Sequence, residues 1–586
     1  MANKKQLMAL ALSGLIGMAH AGEKEELLKL RNTTTNLIKQ LVKSGVITDK
    51  MAEEMIKQAE ADAGKQVAEA KEAPAKEVVP ADEVRVAYVP DFVKDEIRQQ
   101  VRSELREEVV GDVMQKAKQE QWGLPNALPE WTKRFKLSGD ARLRSQNEFM
   151  SAENVNNSPR SATASYFDYQ AINDAGGATN AGPDAYLNTN KDRHRFRERV
   201  RLGIDASVTE GLSVGMRLAT GNQRDPVSTN QTLGNTGQRY DFTIDRAYIK
   251  YDAVNDDKFK WLTLSGGRIK NPWYTAGGEF SGGSELVWDT DLSFEGFSGT
   301  ISHQLGESDS LMGTNHLNRS VFLTAGIFPL QESAFSSEKW LFGGQVGADW
   351  GFVNQDSLKV GLGYFDYVNV EAKQSKLPNG TCDESNIRNL SASRPEFMQG
   401  GNTLARICYE GTEQTPVRAA RMVGLASDFN IINANISYDM AMFAPYHARL
   451  SGDFAKNIGF DLNDVQNRYA RGSVYPYGGT TVGTNVATDE TNAWQIRADF
   501  GWPQAEAAGH WNVFALYKHV ERDAVLDAYT DSDFHLGGTN AKGWVLGGNY
   551  GLLKNTWLTG RWLSTDIITG PPFGNDVLQI DVNTQF

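Results

Sequence analysis

The chain has 586 residues, with 73 acidic against 60 basic side chains and a formal charge of −13. That acidity argues against a nucleic-acid partner. A mean hydropathy of −0.45, with no uninterrupted apolar run of roughly 18 residues beyond the first segment, excludes helical membrane spans.

Lys4 and Lys5 precede an apolar run from Leu7 to Met18 and then Ala19-His20-Ala21, a small-x-small site. This reads as a signal peptide over 1–21, too short to span a bilayer as a helix, with the mature chain starting at Gly22. Residues 22–69 are rich in Glu, Lys, Gln, Ala and Leu. Leu27, Leu30, Leu37 and Leu41, then Met51, Met55 and Ala59, recur at helical spacing. Ser44-Gly45 supplies a stop and Thr48 or Asp49 an N-cap, which predicts a helical hairpin. A linker over 70–90 follows. A third helix over 91–121 carries Val93, Ile97, Val101, Leu105 and Val109 on one narrow stripe. Such a stripe buries little alone, so it fits a coiled coil with a partner chain, a rest on a barrel rim, or a solvated spacer.

From Trp131 the period changes from helical to two. Phe135, Leu137, Gly139, Ala141 and Leu143 alternate with Lys136, Ser138, Asp140, Arg142 and Arg144. Val200, Leu202, Ile204, Ala206 and Val208 alternate in the same way with Arg199, Arg201, Gly203, Asp205 and Ser207, and Thr209-Glu210-Gly211 turns into a third strand at Leu212. Further strands are expected near 240–254, 259–271, 287–302, 318–328, 340–352, 357–371, 428–441, 447–457, 492–503, 511–522, 541–551, 556–567 and 576–586, about 16 in all. Connections alternate between long and short, which a soluble sandwich has no reason to do; His303–Leu317 is long where a short turn is due. Trp261, Trp350, Trp494, Trp502, Trp511 and Trp557 fall near strand ends, where a bilayer interface anchors amphipathic rings. The expected fold is an all-β transmembrane antiparallel barrel over 131–586, with an α-helical segment before it in the periplasm.

In the last strand Leu578, Ile580, Val582, Thr584 and Phe586 share one face, and Gln579, Asp581, Asn583 and Gln585 the other. A terminal Phe on the lipid-facing row looks like the signal read by the outer-membrane assembly machinery. With Trp122-Gly123-Leu124-Pro125, Ser138-Gly139-Asp140-Ala141-Arg142-Leu143-Arg144, the run Arg195 to Leu202, Gly267-Arg268-Ile269-Lys270-Asn271-Pro272, Leu286-Val287-Trp288-Asp289-Thr290-Asp291, Gly537-Gly538-Thr539-Asn540 and Asp576 to Asp581, the chain resembles the putative-porin family of Gram-negative outer membranes. The likeness covers roughly 122–586. It implies passive diffusion of small hydrophilic solutes through a water-filled barrel, and supplies no catalytic residue, metal site or cofactor.

In such a pore the inward row carries any selectivity. That row holds Arg142, Arg144, Arg199 and Arg201, with Arg195 and Arg197 at the outer rim and Arg246 and Lys250 extending the wall. Lipopolysaccharide phosphates or a surface ion-pair network are the alternative partners of the rim pair. Asp140, Asp205 and Asp245 are expected as local ion-pair partners, and acidic groups of an inward-folded loop as an opposing wall, giving an anion-leaning field. Cys382 and Cys408, the two cysteines, are close enough to close one loop in an oxidising compartment; two unrelated thiols are the alternative.

An enzyme would need a nucleophile and base brought together. The seven histidines beyond His20 are spread along the chain, mostly at turns or loops, with no recognisable nucleophile motif, metal-ligand cluster or phosphate loop. A second rival is a structural tether or adhesin-like barrel whose helical segment reaches peptidoglycan. Outer-membrane lipid and a homotrimeric assembly complete the expected partners.

Overall fold

The two-residue period closes into a cylinder in the computed structural model of the chain. It describes residues 130–156, 166–277, 283–305, 319–334, 337–373, 375–376, 393–409, 422–468, 474–475 and 489–586. The signal peptide, hairpin, linker and third helix expected over 1–121 lie outside those residues. So does Cys382, and with it the expected disulfide to Cys408.

Among the described residues the wall has sixteen strands. They are β1 (Phe135–Met150), β2 (Arg193–Thr209), β3 (Leu212–Ala219), β4 (Thr243–Val254), β5 (Lys260–Lys270), β6 (Ser293–Gln304), β7 (Arg319–Gln331) and β8 (Lys339–Gly351), then β9 (Ser357–Val368), β10 (Phe429–Met440), β11 (His447–Asn457), β12 (Asn492–Gly501), β13 (Trp511–Val520), β14 (Ala541–Leu553), β15 (Thr556–Ile567) and β16 (Gly574–Gln585). Each pairs antiparallel with the next. β16 pairs with β1, so the sheet has no free edge.

Alternation sorts the two faces as expected. Outward Leu137 and Phe297 are 73% and 69% exposed, while inward Arg144, Gln146 and Glu148 are buried. Only a hydrocarbon solvent covers an outward apolar row of that kind without cost. Phe586 follows β16, exchanges backbone hydrogen bonds of 3.0 Å with Gly139, and points outward. One end of the barrel has turns such as Thr209–Leu212, where Gly211 takes φ +74° and a Cβ would lie 2.4 Å from the Asp252 carbonyl. The connection between β6 and β7 stays long at this end, and its residues 306–318 lie outside the described ones. The other end carries L1 (151–192), L2 (220–242), L3 (271–292), L4 (332–338), L5 (369–428), L6 (458–491), L7 (521–540) and L8 (568–573).

Strand boundaries shift in a few places. β1 runs on to Met150, and β2 starts at Arg193, so the rim arginines belong to the strand itself. The strand expected from 287 starts only at Ser293, because Leu286, Val287 and Trp288 are buried as part of L3. An apolar run fits either a strand or a loop tucked inside a cylinder, and local pattern does not distinguish them.

A hydrophobic core sits inside the long-loop end of the barrel, against the wall from β6 to β10. It joins Trp273, Leu286, Val287 and Trp288 of L3, Val525 and Leu526 of L7, and Phe294, Phe328, Leu341, Phe365, Phe429 and Ile431 of the wall from β6 to β10. Trp288 lies 5.0 Å from both Phe294 and Phe365, ring centre to ring centre.

Candidate functional site

The two-residue period turns Asp140, Arg142, Arg144, Gln146 and Glu148 of β1 inward beside Arg195, Arg197, Arg199, Arg201, Gly203 and Asp205 of β2. Register then sets arginine against arginine: Arg142 opposes Arg199, Arg144 opposes Arg197, and Arg217 opposes Arg246 between β3 and β4. Like charges directly opposite each other repel, so the wall needs carboxylates from elsewhere.

Inward-folded loops supply some of them, beside Asp140, Asp245 and Asp581 of the strands. L3 leaves β5, sets Trp273 against Phe328 and Phe365 (6.1 and 5.0 Å), and crosses toward β10. There Ala276 N donates to Asn435 Oδ1 (3.0 Å) and Gly277 N to Ser437 Oγ (2.9 Å). On its return Asp289 N donates to Tyr529 O of L7 (2.7 Å). Asp291 then meets Arg199 (3.3 Å) and Arg201 (2.9 Å), both also bonded to Asp140 (3.0 and 2.8 Å). L3 therefore spans the lumen from the β8–β10 side to β2. Burial pushes the Asp291 carboxyl up, but Arg199, Arg201 and Arg142 outweigh it and hold it well below the usual range.

L7 repeats the device at β1. Arg144 is bidentate to Asp581 of β16 (2.8 and 2.9 Å) and bonded to Asp533 of L7 (2.9 Å), which also takes Arg561 (2.7 Å). Burial works against the Asp533 charge, but Arg144 and Arg561 keep the carboxyl well below its ordinary value.

The remaining expected residues divide in two. Arg195 is paired with Glu148, and Lys250 with Asp252 (2.9 Å). Arg142 donates to Asn230, Arg197 to Ser228 Oγ (3.4 Å) and Arg246 to Ser293 Oγ (3.2 Å), all neutral acceptors. Asp245 pairs with Arg217. Asp205, expected as an arginine partner, instead accepts from the Tyr248 hydroxyl (2.6 Å), because the side chain opposite it on β3 is Gly215 and the tyrosine of β4 reaches across that gap. The opposing acidic wall also takes a different form: the loop carboxylates touch the arginines directly rather than facing them across water.

L5 and L7 are clasped above this wall. Asp527 accepts from Gln399 N (2.9 Å) and Gly400 N (2.6 Å), Asn402 Nδ2 donates to Arg522 O (2.6 Å), and Thr539 N donates to Gly400 O (3.0 Å). Gly538 sits at φ +91°, and a Cβ there would lie 2.2 Å from Gly400 O. Burial pushes the Asp527 carboxyl up to about 7, against the backbone amides that donate to it.

A family model described as Putative porin matches residues 31–586. The chain belongs to this family. No curated protein matches it in sequence. Among solved structures it is similar to OprB of Pseudomonas putida (9% identity, 80% of this chain and 97% of that one, TM-score 0.39). It is also similar to OmpT of Vibrio cholerae in its trimer form (9%, 77% and 99%, 0.36) and to Salmonella typhi OmpF in complex with daunomycin (10%, 77% and 97%, 0.34).

As a porin, the barrel lies in the outer membrane. The porin's inner wall also contains partners that the strand pattern did not single out. Asp581 was on the inward row of the last strand and could have been found by placing β16 beside β1. Arg217 follows from the same alternation on β3. Asp533 has no such signal, since L7 is irregular and its contact with Arg144 joins residues 389 apart.

Proposed function

We propose that this porin passes small hydrophilic solutes by passive diffusion through a lumen narrowed by L3 and L7, and that its basic wall favours anions. The supporting observation is the contrast between the two faces of β1–β4: hydrocarbon side chains outward, and inward a row of arginines whose neutralisation by loop carboxylates is incomplete. A wall charge within one screening length of a narrow path raises the local concentration of the opposite ion. On this reading Phe586 is the assembly signal, Asp140 and Asp291 tune the wall, and copies associate as a homotrimer. Conductance of the purified protein in planar bilayers under a salt gradient tests it. The expected reversal potential has the anion-selective sign and moves toward zero in R142Q. A cation-selective potential unaltered by replacing Arg142, Arg199 and Arg201 refutes the anion preference, and absence of any conductance refutes the channel.

A further inference from the structure

Each of the three opposed arginine pairs is compensated on one side only. In Arg144–Arg197 the carboxylates go to Arg144; in Arg142–Arg199 they go to Arg199; in Arg217–Arg246 they go to Arg217. The three left over, Arg197, Arg142 and Arg246, have no ion-pair partner among the described residues. Each is nevertheless held by a neutral oxygen, of Ser228, Asn230 and Ser293 respectively. A hydroxyl or amide oxygen fixes a guanidinium in place without cancelling its charge, unlike a carboxylate. Arg197 stands nearer the long-loop end than Arg142. Arg197 is diagonal to Arg142 across the β1–β2 pair, roughly 7–8 Å away. Arg246 lies three strands further round than Arg142, roughly 14 Å by strand spacing, opposite Arg217, which itself opposes Gly203. There it borders a cavity of about 510 Å³ that Gly203, Arg217 and Tyr248 also border.

We propose that Arg197, Arg142 and Arg246 form a series of separated oxyanion stations, and that the solutes taken by preference carry a carboxylate or phosphate group. This rests on the porin reading. A planar guanidinium presents paired donors to such a group. Three separated stations, each of modest strength, let the solute enter and leave, where one deep site would trap it. The carboxylates on the other arginine of each pair keep the wall foldable without quenching the stations.

The test uses the full-length protein in liposomes, with inorganic phosphate, acetate and the neutral sugar arabinose as probes. The expected phosphate-to-arabinose and acetate-to-arabinose flux ratios fall about threefold for each of R197Q, R142Q and R246Q, as loss of one nearby charge in a wet lumen implies. They fall further in the triple variant, and R197K, R142K and R246K, which keep the charge but lose the paired donors, fall less than the glutamine variants. A fall for phosphate alone restricts the solute class to phosphates; a fall for acetate alone restricts it to carboxylates. Ratios unchanged in the triple variant, or lysine variants as impaired as glutamine ones, overturn the series while leaving a working porin. A wild-type protein that passes none of the probes overturns the porin reading itself.

Discussion

Along β1–β4 the inner row is guanidinium met by carboxylate, whereas along β6–β10 the same row is Phe294, Phe328, Leu341, Phe365 and Phe429 met by the tryptophans of L3. One loop serves both walls: Trp288 packs on the aromatic side and Asp291, three residues on, reaches the basic side. The aromatic side supplies binding energy without direction, roughly 25 cal/mol per Å² of apolar area removed from water. The basic side supplies direction and leaves charge. Together they hold L3 across the lumen at a defined place, which a purely polar lining would not do.

The largest expected effect comes from breaking the aromatic side. Trp288→Ala removes the ring that touches Phe294, Phe365, Tyr367 and Tyr529, and should cost about 3–5 kcal/mol. Unfolding in denaturant should register it, with a rise in single-channel conductance as L3 loosens; a variant as stable and as narrow as the parent means that the basic contacts alone hold the loop. Asp291→Asn attacks the other side. It leaves Arg199 and Arg201 with Asp140 alone, at a cost on the order of 3 kcal/mol. The reversal potential should move further toward anion selectivity, because a negative charge has gone; a move toward cations contradicts the assignment.

Gly538→Val leaves both walls intact and strikes the L5–L7 clasp. The left-handed backbone and the 2.2 Å approach to Gly400 O imply a cost of about 1–3 kcal/mol. Faster hydrogen exchange confined to L5 and L7, with ion selectivity unaltered, is the expected signature. The smallest effect is the clasp's response to pH. Because the Asp527 carboxyl is raised to about 7, its protonated form is the one favoured in place. The stabilisation is therefore complete only below the ordinary Asp value of about 4 and is lost as pH rises through about 7. Exchange of the Gln399 and Gly400 amides, corrected for intrinsic rate, should be more protected at pH 5 than at pH 8, and Asp527→Asn should flatten that difference.

The strands were legible because each side chain faces one of two solvents, and the alternation of Phe135 to Leu143 with Lys136 to Arg144 records that directly. The inward arginines were legible for the same reason. Their partners were much less so. Asp291 sits in Leu286 to Asp291, whose apolar half imitates a strand, and Asp533 lies in L7, where no periodicity governs direction. Which arginine of the Arg142–Arg199 and Arg144–Arg197 pairs gains a loop carboxylate depends on where a loop lands. That is set by packing among Trp273, Trp288 and the β6–β10 wall, a contact pattern with no local trace.

The pairing of β1 with β16 also bears on how the molecule comes together. Arg144 and Asp581 touch although 437 residues separate them along the chain, so the seam between first and last strand is the contact of greatest loop-closure entropy in the wall. Until it zips, β1 and β16 each present a row of unmatched backbone amides to whatever is nearby. The bidentate bond from Arg144 to Asp581 acts there as a fastener between the two rims, and the Asp533 contact secures it from within.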